Sequence, residues 1–144
     1  MKRFIAIFTL LVALSFNAMA DERPIEPTQL PKSAQEFIAK NFAGTPILSA
    51  FVDRDVMDTD YEVRLEDGTK IDFNGRGDWT DISNKRSGIP ASIVPHKLTE
   101  YTSKHYNGAA ILSIERNSHS YEVKLSNGVE LIFSLSGKLL GYDD

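Results

Sequence analysis

Tyr61 to Phe73 reads YEVRLEDGTKIDF, and Tyr121 to Phe133 reads YEVKLSNGVELIF. Each is a run of alternating apolar and polar residues broken by Asp67-Gly68 or Asn127-Gly128, which is the pattern of two antiparallel strands joined by a tight turn. Alternation puts Tyr61, Val63 and Leu65 on one face and Glu62 and Arg64 on the other. The Asp-Gly and Asn-Gly pairs predict two-residue type I′ turns, because that geometry needs positive φ at both central residues.

Upstream of the first hairpin, Ala34, Phe37, Ile38 and Phe42 recur at helical spacing. Ser33 and Glu36 have the spacing of a capping box, and Gly44 stands where a helix stop is expected. An apolar run, Ile47 to Val52, and an acidic loop, Asp53 to Asp60, lead into the hairpin, and a Gly75-Arg76-Gly77 turn leads out into Trp79 to Ser83. The order predicted is one helix followed by four antiparallel strands. It then starts again: Leu30-Pro31 matches Val94-Pro95 at an offset of 64, which holds through Ile47-Leu48-Ser49 and Ile111-Leu112-Ser113, and drops to 60 through the hairpins to Gly77 and Gly137. Identities in fixed order over that length read as an internal repeat.

The fold class expected is therefore α+β. Two tandem units, residues 30–83 and 94–144, form a single domain over 30–144 with a sheet of about eight strands and both helices on one face. Residues 21–29 hold Pro24 and Pro27 without periodicity and read as a flexible arm. Residues 1–20 have Lys2 and Arg3, an apolar stretch from Phe4 to Phe16 and Ala18-Met19-Ala20, which is the pattern of a secretory signal peptide cleaved after Ala20. The location expected is periplasmic or secreted, with no membrane span in the mature chain.

Without Lys2 and Arg3 the formal charge moves from −4 to −6, and no basic stripe is present. Phosphate backbones are bound by clustered Lys and Arg, so nucleic acid is excluded as a partner. Cysteine is absent, which removes disulfides, thiolate metal sites and an acylated lipoprotein cysteine. His96, His105 and His119 show no metal-ligand spacing, and His119 between Ser118 and Ser120 is not a triad, since sequence neighbours rarely face one another. Asp53, Asp55, Asp58 and Asp60 suggest calcium, but an EF-hand frame from Asp53 puts Asp58 where glycine is needed and Arg64 where a bidentate glutamate is needed. No catalytic, cofactor or metal residue is assigned.

The doubled order of Leu-Pro, amphipathic helix, Tyr-Glu-Val-x-Leu hairpin and Gly-x-Trp turn, behind a signal peptide, resembles the PepSY-like, β-lactamase-inhibitor-like periplasmic proteins of Bacteroidetes. The resemblance implies a secreted non-enzymatic module that binds or inhibits another protein. Leu139 stands where Trp79 stands in the first unit, so the two units would not offer identical sites. The partner expected is a periplasmic protein or peptide held on the uncovered sheet face and flanking loops. Arg64, Asp72 and Lys124 lie on the outward parity, and Trp79 reads either as a core plug or as an interface anchor. The rival readings are a small-ligand or structural envelope protein and, more remotely, a hydrolase.

Overall fold

The computed structural model describes residues 22–143; the expected signal peptide and the cleavage expected after Ala20 fall outside the described residues. Strand β1 (Glu22–Ile25) and a single 3-10 turn (Pro27–Gln29) precede helix α1 (Lys32–Asn41). Four strands follow: β2 (Ile47–Arg54), β3 (Thr59–Leu65), β4 (Lys70–Asn74) and β5 (Trp79–Ser83). Helix α2 (His96–His105) is followed in turn by β6 (Ile111–Arg116), β7 (Ser120–Leu125), β8 (Glu130–Ser134) and β9 (Leu139–Asp143). All the strands form one open antiparallel sheet in sequence order, β1 through β9. Among the described residues no helix is long and apolar enough to cross a membrane.

Among the described residues the sheet has nine strands, not eight, because the segment expected to be a flexible arm supplies β1, pairing Ile25 with Ala50 and Arg23 with Val52. Two prolines masked the strand in the sequence, but proline is tolerated at a sheet edge, where its missing N–H is not needed.

The core is built in rows. Ala50, Val63, Ile71, Ile82, Ile114, Val123 and Leu131 are successive cross-strand partners from β2 to β8, all buried on one face. Both helices cover that face. Ala34, Ile38 and Phe42 from the first helical segment, and Leu98 from the second, enter the same apolar cluster. Phe37 meets Phe73 edge to face at 6.0 Å between ring centroids, and Tyr101 meets Phe133 in the same way at 5.4 Å. Phe37, Tyr101 and Tyr106 are half-buried at its margin. Two buried loop residues, Asn84 and Thr69, are also structural: Asn84 donates from Nδ2 to the Asp67 carbonyl and the Thr69 hydroxyl and accepts from the Arg86 and Ser87 amides.

Strict alternation misses part of this face, because four bulges interrupt it. Leu48 and Leu112 are extra residues opposite the ends of β3 and β7, and Thr80 and Leu140 are extra opposite β4 and β8. A bulge returns residues three apart to one side. Trp79 and Ile82 thereby both face the helices, partnered by Phe73 and Ile71. Two local expectations are corrected. The hairpin turns are not type I′, because only Gly68 and Gly128 have positive φ; Asp67 and Asn127 instead accept the amides of Thr69 and Val129 through their side chains. Ser33 does not cap the helix, which starts after Pro31; its hydroxyl donates to the Arg76 carbonyl at 2.7 Å and ties the helix to the β4–β5 turn.

That tie generates a prediction. Gly77 has φ +86°, and a Cβ there would run into Ser33 Oγ and lie 2.8 Å from Pro31 Cβ, whereas Gly44 has φ +83° with nothing within 4 Å. Gly44→Ala should cost about 1–2 kcal/mol from backbone conformation alone. Gly77→Ala should cost clearly more, because the turn must also move off the helix; denaturant unfolding of the two variants measures the difference.

Candidate functional site

Among the described residues nothing covers the sheet face away from the helices, and the strand register writes a row of carboxylates across its middle. Glu62 pairs with Asp72, Asp72 with Asp81, Asp81 with Glu115 and Glu115 with Glu122, five acidic residues on five adjacent strands. Like charges directly opposite one another in a sheet are unfavourable. A second acidic line runs alongside, Glu22 opposite Asp53 and Asp53 opposite Asp60. On the other flank, Arg64 pairs with Lys70, and Lys124 with Glu130.

The cations answer only part of the row. Arg64 Nε lies 2.6 Å from Glu62, Lys70 Nζ lies 3.7 Å from both Glu62 and Asp72, and Lys124 Nζ lies 3.3 Å from Glu130. Among the described residues Asp81, Glu115 and Glu122 are in no ion pair within 4.0 Å. Burial between strands raises the Asp72, Asp81 and Glu122 carboxyls above their ordinary range. For Asp81 the next cause is the charge of Glu115, and for Glu122 that of Glu115 and then Glu130; at Asp72, Lys70 opposes the rise and Asp81 and Glu62 add to it. Two grooves follow the face: one of about 400 Å³ is bordered by Glu22, Asp53, Asp60, Glu62 and Asp72, and one of about 420 Å³ by Lys70, Asp81, Glu115, Glu122 and Lys124.

Arg64, Asp72 and Lys124 all stand on this face. Trp79 does not. It is buried in the helix-covered core, with the Arg116 guanidinium over its ring at 4.0 Å from the centroid and Arg116 Nη2 donating to its carbonyl at 2.8 Å. Trp79 thus occupies the core-plug position of the two expected for it, because the Thr80 bulge turns it inward. The acidic loop is shorter than expected: Asp53 and Asp60 are paired strand residues, and only Asp55 to Asp58 turn, with Val56 and Met57 exposed at the tip. The three histidines are exposed, His96 and His105 at the two ends of helix α2 and His119 in the turn before β7, and among the described residues no group of three or more His, Asp or Glu side chains converges as a metal ion requires.

Sequence reasoning missed Glu62, Asp81, Glu115 and Glu122 as a set. The hairpin pattern places Glu62 beside Asp72, but the Asp81 and Glu115 pairing joins distant segments and has no local signal.

The geometry has a pH consequence. A carboxyl whose folded pKa is raised takes up its proton more readily in the folded state, so its contribution to stability is present in acid and lost as pH rises through the raised value. Asp81→Asn should therefore stabilise the protein at neutral pH by a few tenths to about 1 kcal/mol, and the gain should vanish below about pH 4, where wild-type carboxyls are protonated as well. Paired thermal melts across pH measure it. Trp79→Ala should cost about 3–5 kcal/mol in the same assay.

The chain matches a family model described as "Putative beta-lactamase-inhibitor-like, PepSY-like" over residues 59–141. Among solved structures it is similar to a "putative periplasmic protein from DUF2874 family" of Bacteroides vulgatus, with 36% identity, 88% of this chain and 99% of that one covered, and a TM-score of 0.82. A "putative calcium-regulated periplasmic protein" of Bacteroides thetaiotaomicron is 36% identical over 86% of this chain and 98% of its own, with a TM-score of 0.83. A second Bacteroides vulgatus periplasmic protein of unknown function is 33% identical over 85% and 99%, with a TM-score of 0.80. No curated protein matches the chain.

Proposed function

The chain belongs to the PepSY-like, β-lactamase-inhibitor-like family, and we propose that it is a non-enzymatic binding module of the periplasm whose uncovered sheet face holds a lysine- or arginine-bearing segment of a protein or peptide. The observation that carries this is the carboxylate row from Glu62 to Glu122, three of whose members lack an ion partner among the described residues. A row kept against its own repulsion is repaid when cations dock on it, and complementary charge sets both encounter rate and register. Arg64 and Lys124, on the cationic flank, bound the track and discriminate against partners with the wrong charge order.

The module acts after export, with residues 1–20 removed behind Ala20. The two helix-and-four-strand units are copies of one duplicated unit, and they fold as a single domain because the sheet runs through both. The inhibitor-like description of the family fits such a face as a platform for a secreted enzyme. The calcium-regulated description of one relative fits the same acidity, so a divalent cation would compete with the peptide rather than occupy a separate site.

A synthetic extended peptide with alternating lysines serves as the probe in a fluorescence-anisotropy titration. Binding should weaken steeply with salt, and D81N/E115Q/E122Q should lose about tenfold or more in affinity, since each close charge contact is worth about 1 kcal/mol or more, with an unchanged or higher melting temperature. Reversal of Arg64 and Lys124 to glutamate should tighten the peptide. Equal affinity of wild type and the neutralised triple variant would overturn the reading. Loss of binding on reversing Arg64 and Lys124 would instead favour an acidic partner read by those two cations.

A further inference from the structure

The two edges of the sheet are not equivalent. Edge strand β1 carries Glu22, Arg23 and Pro24, a charged and donor-poor edge of the kind that discourages further pairing. Edge strand β9, Leu139-Leu140-Gly141-Tyr142-Asp143, has no proline and no basic residue within it. Four of the seven large apolar side chains exposed among the described residues, Ile132, Leu135, Leu140 and Tyr142, lie on β8, on β9 or in the turn between them. The exposed apolar surface is thus concentrated where backbone hydrogen-bonding groups are unpaired.

The chemistry of β9 selects its occupant. The Leu140 bulge puts Leu139 and Tyr142 on the same, helix-covered side, through their pairing with Phe133 and Leu131. Asp143 pairs with Glu130 and stands on the opposite, uncovered side, as does Lys138, whose carbonyl accepts the amide of Ser134, the residue next to inward Phe133. A second β9 laid antiparallel with its centre between Leu140 and Gly141 would oppose Leu139 with Tyr142, Leu140 with Gly141 and Lys138 with Asp143. Apolar side chains then meet on one face and opposite charges on the other, twice each by symmetry. Moving the centre onto Gly141 would set Leu139 against Asp143 from opposite faces, so the side-chain directions admit the first register and reject the second.

From this self-complementarity we propose that β9 pairs with β9 of a second copy of this chain, continuing the sheet across a twofold axis and joining the two uncovered faces into one surface. The hydrogen bonds come from the main chain, and Lys138 and Asp143 supply register. The association is weak, because a five-residue edge buries little area. It rests on the edge alone and stands whether or not the carboxylate row binds a basic peptide.

Sedimentation velocity of the mature protein should show a monomer–dimer equilibrium that shifts with concentration. K138D and D143K should each weaken the dimer about tenfold by setting like charges opposite one another. An equimolar mixture of the two, and the double variant K138D/D143K, should restore it. Y142K, at an exposed position, should also dissociate the dimer while melting like wild type. A monomer at millimolar concentration overturns the proposal, and so does a dimer that K138D and D143K leave unchanged or that their mixture fails to restore.

Discussion

The pairing of β5 with β6 is the constraint on which the molecule depends. Three residue pairs, Asp81 with Glu115, Ile82 with Ile114 and Ser83 with Ser113, join the segments on either side of the second helix. Ile82 and Ile114 are both fully buried, and they make the apolar row continuous from β2 to β8. Because strand side chains alternate, the register that aligns the two isoleucines beneath the helices must align Asp81 with Glu115 on the far side. One slip would relieve the carboxylates and expose the core. Burying two isoleucine side chains contributes roughly 3–6 kcal/mol, against about 1 kcal/mol or less for one like-charge cross-strand pair, so the core decides the register and the acidic row follows.

Bulges let a short strand serve this arrangement. At Leu48 and Leu112 they bring Ile47 and Ile111 to the same side as Ala50 and Ile114, and at Thr80 they bring Trp79 to the side of Ile82. The extra residues are left pointing elsewhere, which accounts for Leu48 being exposed. Trp79 fills the inward position and is roofed by Arg116, so a cation lies over an aromatic ring on the helix-covered side. At the equivalent bulge Leu139 meets Phe133 in the second unit and offers no ring for a cation to cover.

The outer faces of the two units differ more than their cores. Asp72 and Asp81 of β4 and β5 correspond in order to Ile132 and Gly141 of β8 and β9, and the bulge residue Thr80 to Leu140. Acidic character is therefore centred on β3 to β7, while the β8–β9 end is apolar. Burial between strands, with repulsion along the row added to it, raises the proton affinity of Asp72, Asp81 and Glu122, and the flank of Arg64, Lys70 and Lys124 compensates the row from one side only. The face is asymmetric in both charge and polarity, although the elements beneath it are regular.

Much of this was readable locally. Alternation in YEVRL and YEVKL identified the buried Val63, Leu65, Val123 and Leu125 and the outward Arg64 and Lys124, since a strand's period of two is a property of its own backbone. Helical spacing likewise identified Ala34, Ile38 and Phe42, and the repeated order of elements indicated one sheet beneath two helices. The strand at Glu22–Ile25, the inward turn of Trp79 and the carboxylate row were decided only in three dimensions. Each depends on which distant segment lies alongside: an edge partner for β1, a bulge against β4 for Trp79, and the β5–β6 register for Asp81 and Glu115. Local sequence determines which way a side chain points along its strand, as for Arg64, Asp72 and Lys124, but tertiary pairing determines what it points beside, and the joining of Asp81 to Glu115 that completes the carboxylate row is information of the second kind.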